Sequence, residues 1–182
     1  MLQSLAVRAA VAALVLTSSP ARDPDVIFVP TPEPVVDEMM ALARVGPGDV
    51  MYDLGCGDGR LVIAAAKRGA KKAVGVDIDP ERIKEARESA RTAGVEDKVS
   101  FVEGDLFAMD FSDASVVTLY LLPELNLRLR PKLLALRPGT RIVSHAYDMG
   151  DWAPEQTVHV AGKTVYAWTV PARPRPRDGQ RR

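Results

Sequence analysis

Three aspartates each close a strand-like run: Asp53 in YDLGCGDGR, Asp77 in VGVDIDP and Asp105 in EGDLF. A loop carrying Gly55, Gly57 and Gly59, with Cys56 and Asp58 between them, separates the first two runs. Glycines at those positions let the backbone turn sharply and let a ligand approach with no Cβ atom in the way. The loop runs into a helix start, whose free N–H groups can receive a carboxylate or a phosphate. Asp77 falls roughly 20 residues beyond the glycines, where an acid can accept two ribose hydroxyls. A buried carboxylate costs several kcal/mol unless it is paired or hydrogen-bonded, so an acid there calls for a polar partner. Asp105 is placed to reach an adenine edge. Any one of these acids alone reads as a helix cap or a loop residue. All three after successive strands, together with the glycine loop, read as a nucleoside site.

A dinucleotide is the first candidate for such a loop, and it fits poorly. Its fingerprint wants glycine at the first, third and sixth positions. Here the sixth position is Arg60, and the last glycine comes one residue early, at Gly59. Carboxylates at Asp53 and Asp58 would repel a pyrophosphate, whereas an ammonium group would tolerate or welcome them. S-adenosylmethionine offers ribose, adenine, ammonium and carboxylate without phosphate, and it fits better.

Strands alternating with helices must hold these residues in place. Residues 31–44 open with prolines and then set Val36, Met39, Met40 and Ala43 at helical spacing, with Pro34 in the first turn. A strand over 50–55, a helix over 59–69 and a second strand over 72–78 follow. Residues 79–94 form an amphipathic helix with Asp79 as N-cap, Pro80 first, Ile83, Ala86 and Ala90 buried, and Gly94 as stop. The charged residues between Glu81 and Arg91 read as its solvated face. Further strands fall at 99–105, 115–122 and 140–147, and residues 157–170 read as a closing hairpin across Gly162. Residues 123–139 mix strand-like alternation with helix starts at Pro123 and Pro131, and are read as two short helices. The expected fold is α/β, Rossmann-like, with a mostly parallel sheet and antiparallel edge strands at the C-terminal end.

DLGCGDGR, GVDIDP and GDLF resemble motif I, post-I and motif II of class I S-adenosylmethionine-dependent methyltransferases, a likeness that spans residues 26–170. It implies that Asp53 and the loop of Gly55, Cys56, Gly57 and Gly59 hold the methionine part of the cofactor. It implies that Asp77 holds the ribose, that Ile78 packs on the adenine, and that Asp105 and Leu106 flank it. A narrower likeness lies in PTPEPVVDEMMALA, DLGCGDGRLVIAAA and LYLLPELNLRLRPKL. These are similar to the mitochondrial lysine methyltransferases of the ATP synthase c-subunit and the adenine nucleotide translocase, with their bacterial relatives. The Dot1-type histone methyltransferases are more distant. The chain has Cys56 where serine is common in that family. The narrower likeness implies a protein-lysine N-methyltransferase; a small-molecule acceptor, or an exported module that binds the cofactor without turnover, are the alternatives.

The superfamily places its substrate-contacting motif after the fourth strand, here LYLLPEL. On that likeness Tyr120 lines a lysine channel and Glu124 orients the amine or takes its proton. A core tyrosine and a helix-start charge are the competing assignments. The chain lacks the Asn-Pro-Pro-Tyr signature of many nucleic-acid amine methylases. Cys56, with no adjacent histidine, reads as a small buried filler of the loop. Trp152 and Trp168 read as core packing, with a place at the sheet edge or a substrate mouth as the alternative.

The 182-residue chain has formal net charge +0, which indicates no global pull toward nucleic acid. Its single cysteine rules out an intrachain disulfide, and two histidines far apart in sequence offer no metal-ligand spacing. Three parts are expected: a leader at 1–25, the catalytic domain at 26–171 and a disordered Pro/Arg-rich tail at 172–182. The leader has Arg8, an apolar run over 9–16 and then small residues, the order of a secretory signal or membrane-targeting segment. Export or membrane association follows if that leader is real, and a cytoplasmic protein otherwise.

Overall fold

The computed structural model describes residues 28–172. The expected leader, and the tail beyond residue 172, lie outside them. Seven strands form one sheet: β1 (Val50–Leu54), β2 (Lys72–Asp77), β3 (Val99–Glu103), β4 (Val116–Leu119), β5 (Arg141–His145), β6 (Gln156–Val160) and β7 (Lys163–Thr169). Their spatial order is β3-β2-β1-β4-β5-β7-β6. The first five in that order are parallel, and β7 runs antiparallel to both β5 and β6. The chain thus builds outward from β1 to β3 on one side and from β4 onward on the other. The crevice between β1 and β4 is the switch point, where open α/β sheets bind ligands at the carboxyl ends of their strands.

Helices cover both faces. On one side α1 (Glu33–Leu42), α2 (Arg60–Lys67) and α3 (Pro80–Thr92) bury Val36, Met39, Met40, Leu61, Val62, Ile83 and Ala86 against the sheet. On the other, α4 (Pro123–Leu134) buries Leu129 and Leu133 among Leu54, Leu119, Phe111, Ile142 and Trp168. The central strands are therefore buried along nearly their whole length rather than on alternate residues, as a sheet covered twice requires. Asp53, Thr118, Ser144 and His145 are the buried polar exceptions to an apolar run. The amphipathic helix starts as its sequence demands. The Asp79 side chain accepts the Glu81 N–H at 2.8 Å, Pro80 occupies the first turn, and Gly94 follows the last turn at φ 67. Its outer face carries pairs such as Arg82–Glu85 and Arg91–Glu88.

One expectation fails. Residues 123–134 form one continuous helix with Pro131 inside it, not two short ones. Asn126, Leu129 and Leu133 share one buried face across the proline, while Pro131 itself faces solvent. Tertiary burial of that stripe outweighs the hydrogen bond the proline removes. The closing hairpin forms as expected, its turn made by Ala161 and Gly162 at φ 50 and 71, the two left-handed residues of a type I′ turn. Trp168 is buried in β7 and donates its indole N–H to the Trp152 carbonyl at 2.7 Å, so the tryptophans serve packing. Among the described residues no helix is long and apolar enough to cross a membrane.

Candidate functional site

The switch point opens into a cavity of about 410 Å³. Its walls include Asp53, Gly55, Cys56, Asp77, Ile78, Asp105, Leu106 and Tyr120, so most of the expected site residues meet there. Gly57 and Gly59 shape the loop behind this wall. Glu124 sits exposed in the first turn of α4 and is not among the lining residues. The structure brings Tyr120, but not Glu124, to the cavity.

The loop is fixed by the end of β2. The N–H groups of Gly55 and Cys56 both donate to the Val76 carbonyl, at 2.8 and 2.9 Å, and the Gly57 N–H donates to Asp77 Oδ2 at 2.9 Å. Asp77 Oδ1 accepts the Asp79 N–H at 3.0 Å. Each oxygen keeps a lone pair, so Asp77 holds the loop and can still accept hydroxyls from a ligand. Gly57 cannot be replaced cheaply. It sits at φ 51, and a Cβ there would collide with the Phe28 ring. That ring lies over the loop and 5.0 Å from the Arg82 guanidinium.

Asp53 is the most perturbed acid. It is buried at the tip of β1 and accepts a hydrogen bond from the Thr118 hydroxyl at 2.7 Å. Burial, and secondarily repulsion from Asp77 and Asp58, push its pKa up to about 8 despite that hydrogen bond. A cation bound beside it would restore the ionised form. That is the property a site for an ammonium-bearing cofactor needs, and it is how the cavity fits S-adenosylmethionine. Five aspartates line the wall against two arginines, Arg60 and Arg82, a balance that disfavours a pyrophosphate. Cys56 is buried over Gly75, its thiol pKa pushed up by burial and by the Asp53 charge, and it is inert filler as expected.

The start of α2 departs from the simple anion-site picture. The Arg60 N–H is directed at Asp58 Oδ1 at 3.3 Å, and the Arg60 guanidinium grips both Asp58 oxygens, Nε lying 3.0 and 3.1 Å away. The loop's own carboxylate occupies part of the helix terminus, and the arginine neutralises it.

The far wall was less visible in the sequence. Tyr120 follows β4 directly, and its ring lies 3.8 Å from the His145 ring and 6.5 Å from that of Tyr147, centroid to centroid. Burial raises the Tyr120 pKa, so the phenol keeps its proton at neutral pH. Burial lowers that of His145 to about 4, so its imidazole is neutral. Asn126, fully buried in α4, donates to the carbonyls of Tyr147 and Asp148 at 3.2 and 3.3 Å and so fixes the loop after β5. Phe28 and His145 lie outside the quoted motifs, and Thr31, Arg60 and Asn126 lie within them without a role assigned there; only the long-range contacts reveal their part in the site.

The model of the ANTKMT methyltransferase domain family matches residues 53–156. A protein-lysine N-methyltransferase of Saccharolobus islandicus is 46% identical over 153 residues, which cover 81% of this chain and 95% of that protein. The mouse adenine nucleotide translocase lysine N-methyltransferase is 35% identical over 136 residues, 74% of this chain but 59% of the mouse protein. Among solved structures, an RNA methyltransferase from Salinibacter ruber in complex with S-adenosyl-L-homocysteine is 56% identical. It has a TM-score of 0.77 and covers 83% of this chain and 100% of that one.

Proposed function

Because the chain belongs to the ANTKMT methyltransferase domain family of S-adenosylmethionine-dependent methyltransferases, we propose that it methylates the side-chain amine of a protein lysine. The observation that carries this reading is the pairing of an acid-rich cavity with a Tyr120 wall in a chain 46% identical to a protein-lysine N-methyltransferase. When bound, S-adenosylmethionine supplies a methyl group on a positively charged sulfur, and that charge is lost as the methyl passes in line to a nucleophile. The protein's task is mainly alignment. Asp53 would face the ammonium, Asp77 the ribose hydroxyls, and Ile78, Asp105 and Leu106 would enclose the adenine. Cationic lysine is drawn toward a rim of aspartates and meets the Tyr120 face, which favours a cation. The amine must shed its proton before attack. The neutral phenol of Tyr120 can accept a hydrogen bond from it but cannot serve as a phenolate base, so the proton leaves to water or to another nearby base. Glu124 lies exposed in the first turn of α4 and outside the cavity lining, so the role of orienting the amine or taking its proton rests on the superfamily likeness alone.

A second reading, methylation of RNA, is favoured by the Salinibacter ruber protein, which is described as an RNA methyltransferase. The formal net charge of +0 and the predominance of aspartate in the cavity weigh against it, since affinity for nucleic acid rests on neutralising phosphates. Incubating the full-length protein with methyl-tritiated S-adenosylmethionine and cell extract separates the readings. Label on protein, mapped to a lysine, supports the proposal. Label on RNA or on a small metabolite overturns it, and cofactor binding without any transfer supports a non-catalytic module. Residues 1–25 are assigned as an export or membrane leader on the order of Arg8, apolar run and small residues. N-terminal sequencing of the expressed protein tests this, with a start near Arg22 expected if the leader is cleaved.

A further inference from the structure

Thr31 touches both halves of the site. It is 4% exposed and lies just before α1. Its carbonyl accepts a hydrogen bond from Arg60 Nη1 at 2.6 Å, and the same guanidinium holds Asp58 in the glycine loop. Its hydroxyl meets His145 Nδ1 at 3.2 Å. The His145 ring in turn lies against Tyr120, 3.8 Å between centroids. One residue therefore holds the cofactor loop by its carbonyl and the acceptor wall by its hydroxyl.

The imidazole strengthens the case. His145 is fully buried at the end of β5, and its Nε2 has no partner among the described residues. Whichever tautomer is present, one ring nitrogen faces Thr31 and the other goes unsatisfied, a desolvation cost that an apolar side chain would avoid. The histidine is thus a poor choice for packing alone. What it adds is a hydrogen bond to Thr31 and a flat face for Tyr120.

We propose that Thr31 and His145 are positioning residues that couple occupancy of the cofactor loop to the placement of Tyr120 at the acceptor. The proposal rests on the reading of Tyr120 as the acceptor wall. When ligand draws the glycine loop and Arg60 into place, the Thr31 carbonyl moves with them, and the hydroxyl transmits the adjustment to His145 and Tyr120.

Two measurements test it. The chain has two histidines, so ring-¹⁵N labelling marks only His145 and His159. His159 is exposed in β6 with its Nδ1 3.1 Å from the Thr164 hydroxyl, and it serves as the internal reference. Saturating S-adenosylhomocysteine is expected to shift the His145 imidazole signals and leave those of His159. Thr31→Val, which keeps the shape and removes the hydroxyl, should bind S-adenosylhomocysteine within about twofold of wild type and lose most of the His145 shift; Thr31→Ser should restore it. In methyl transfer, Thr31→Val should lower kcat or raise the acceptor KM by about tenfold, the weight of one buried hydrogen bond. That loss should vanish in a Tyr120→Ala background, because a residue acting through another shows no separate effect once the other is gone. An undiminished His145 shift in Thr31→Val overturns the coupling, as does an additive loss in the double variant. If Thr31→Val melts below the assay temperature, Thr31→Ala carries the same test. Failure of wild-type protein to bind S-adenosylhomocysteine at all would instead overturn the cofactor assignment.

Discussion

Asp53 makes cofactor binding a proton-linked event. In the ligand-free chain its pKa stands at about 8, raised chiefly by burial. An ammonium placed beside it requires the carboxylate, so binding at lower pH must first expel the proton. The apparent affinity is divided by 1 plus 10 to the power (8 − pH), about a hundredfold at pH 6 and about fourfold at pH 7.5. Calorimetric titration with S-adenosylhomocysteine should therefore show affinity about 25-fold tighter at pH 7.5 than at pH 6. Repeating it at pH 6 in buffers of different ionisation enthalpy should reveal release of nearly one proton. Asp53→Asn should flatten the pH dependence and weaken binding at pH 7.5 by about 10- to 100-fold, the range of a charge-assisted hydrogen bond. A wild-type affinity that does not change between pH 6 and 7.5, or a slope that survives in Asp53→Asn, would refute the reasoning.

The same group links folding to pH. The folded pKa of Asp53 lies above its ordinary 3.8, so the stability its proton supplies is fully present below about pH 4 and is lost as pH rises through 8. The melting temperature of ligand-free protein should fall across that window, and Asp53→Asn should flatten the fall. Gly57→Ala must place a Cβ against Phe28 from a left-handed backbone. It should destabilise by about 1–2 kcal/mol from strain alone and weaken S-adenosylhomocysteine binding, checked by thermal shift with and without ligand. Leu133→Ala, which empties a fully buried position in α4, should cost about 2–5 kcal/mol in urea unfolding while the cofactor Kd stays near wild type. Asp77→Ala should lower affinity more than loss of the ribose contact alone explains, because Asp77 also holds the Gly57 N–H.

The cofactor half of the site was legible in sequence because its residues are local. Asp53 with its loop, Asp77 and Asp105 each sit at a strand tip, and strand tips in a parallel sheet converge. The cap at Asp79, the stop at Gly94 and the turn at Gly162 follow equally from short-range chemistry. Of the acceptor half only Tyr120 was placed at the cavity from sequence, through the superfamily likeness; the rest was not legible, because it is built from contacts across the sheet. The hydrogen bond between Thr31 and His145 spans 114 residues, and that between Arg60 and the Thr31 carbonyl spans 29. Nothing in VPTPEP or RIVSHAY signals that they meet. Pro131 misled for the opposite reason. Its local preference is real, and burial of Leu129 and Leu133 on one stripe overrides it. Glu124 follows the superfamily likeness in sequence position, yet the first turn of α4 carries it outward.

The most direct measurement is a crystal structure of the full-length protein with S-adenosylhomocysteine. The ligand's amino group should lie within hydrogen-bond distance of Asp53, its ribose hydroxyls on Asp77, its adenine between Ile78 and Leu106, and its sulfur facing Tyr120. Ligand bound elsewhere, or bound in the cavity with its ribose away from Asp77, would contradict the account.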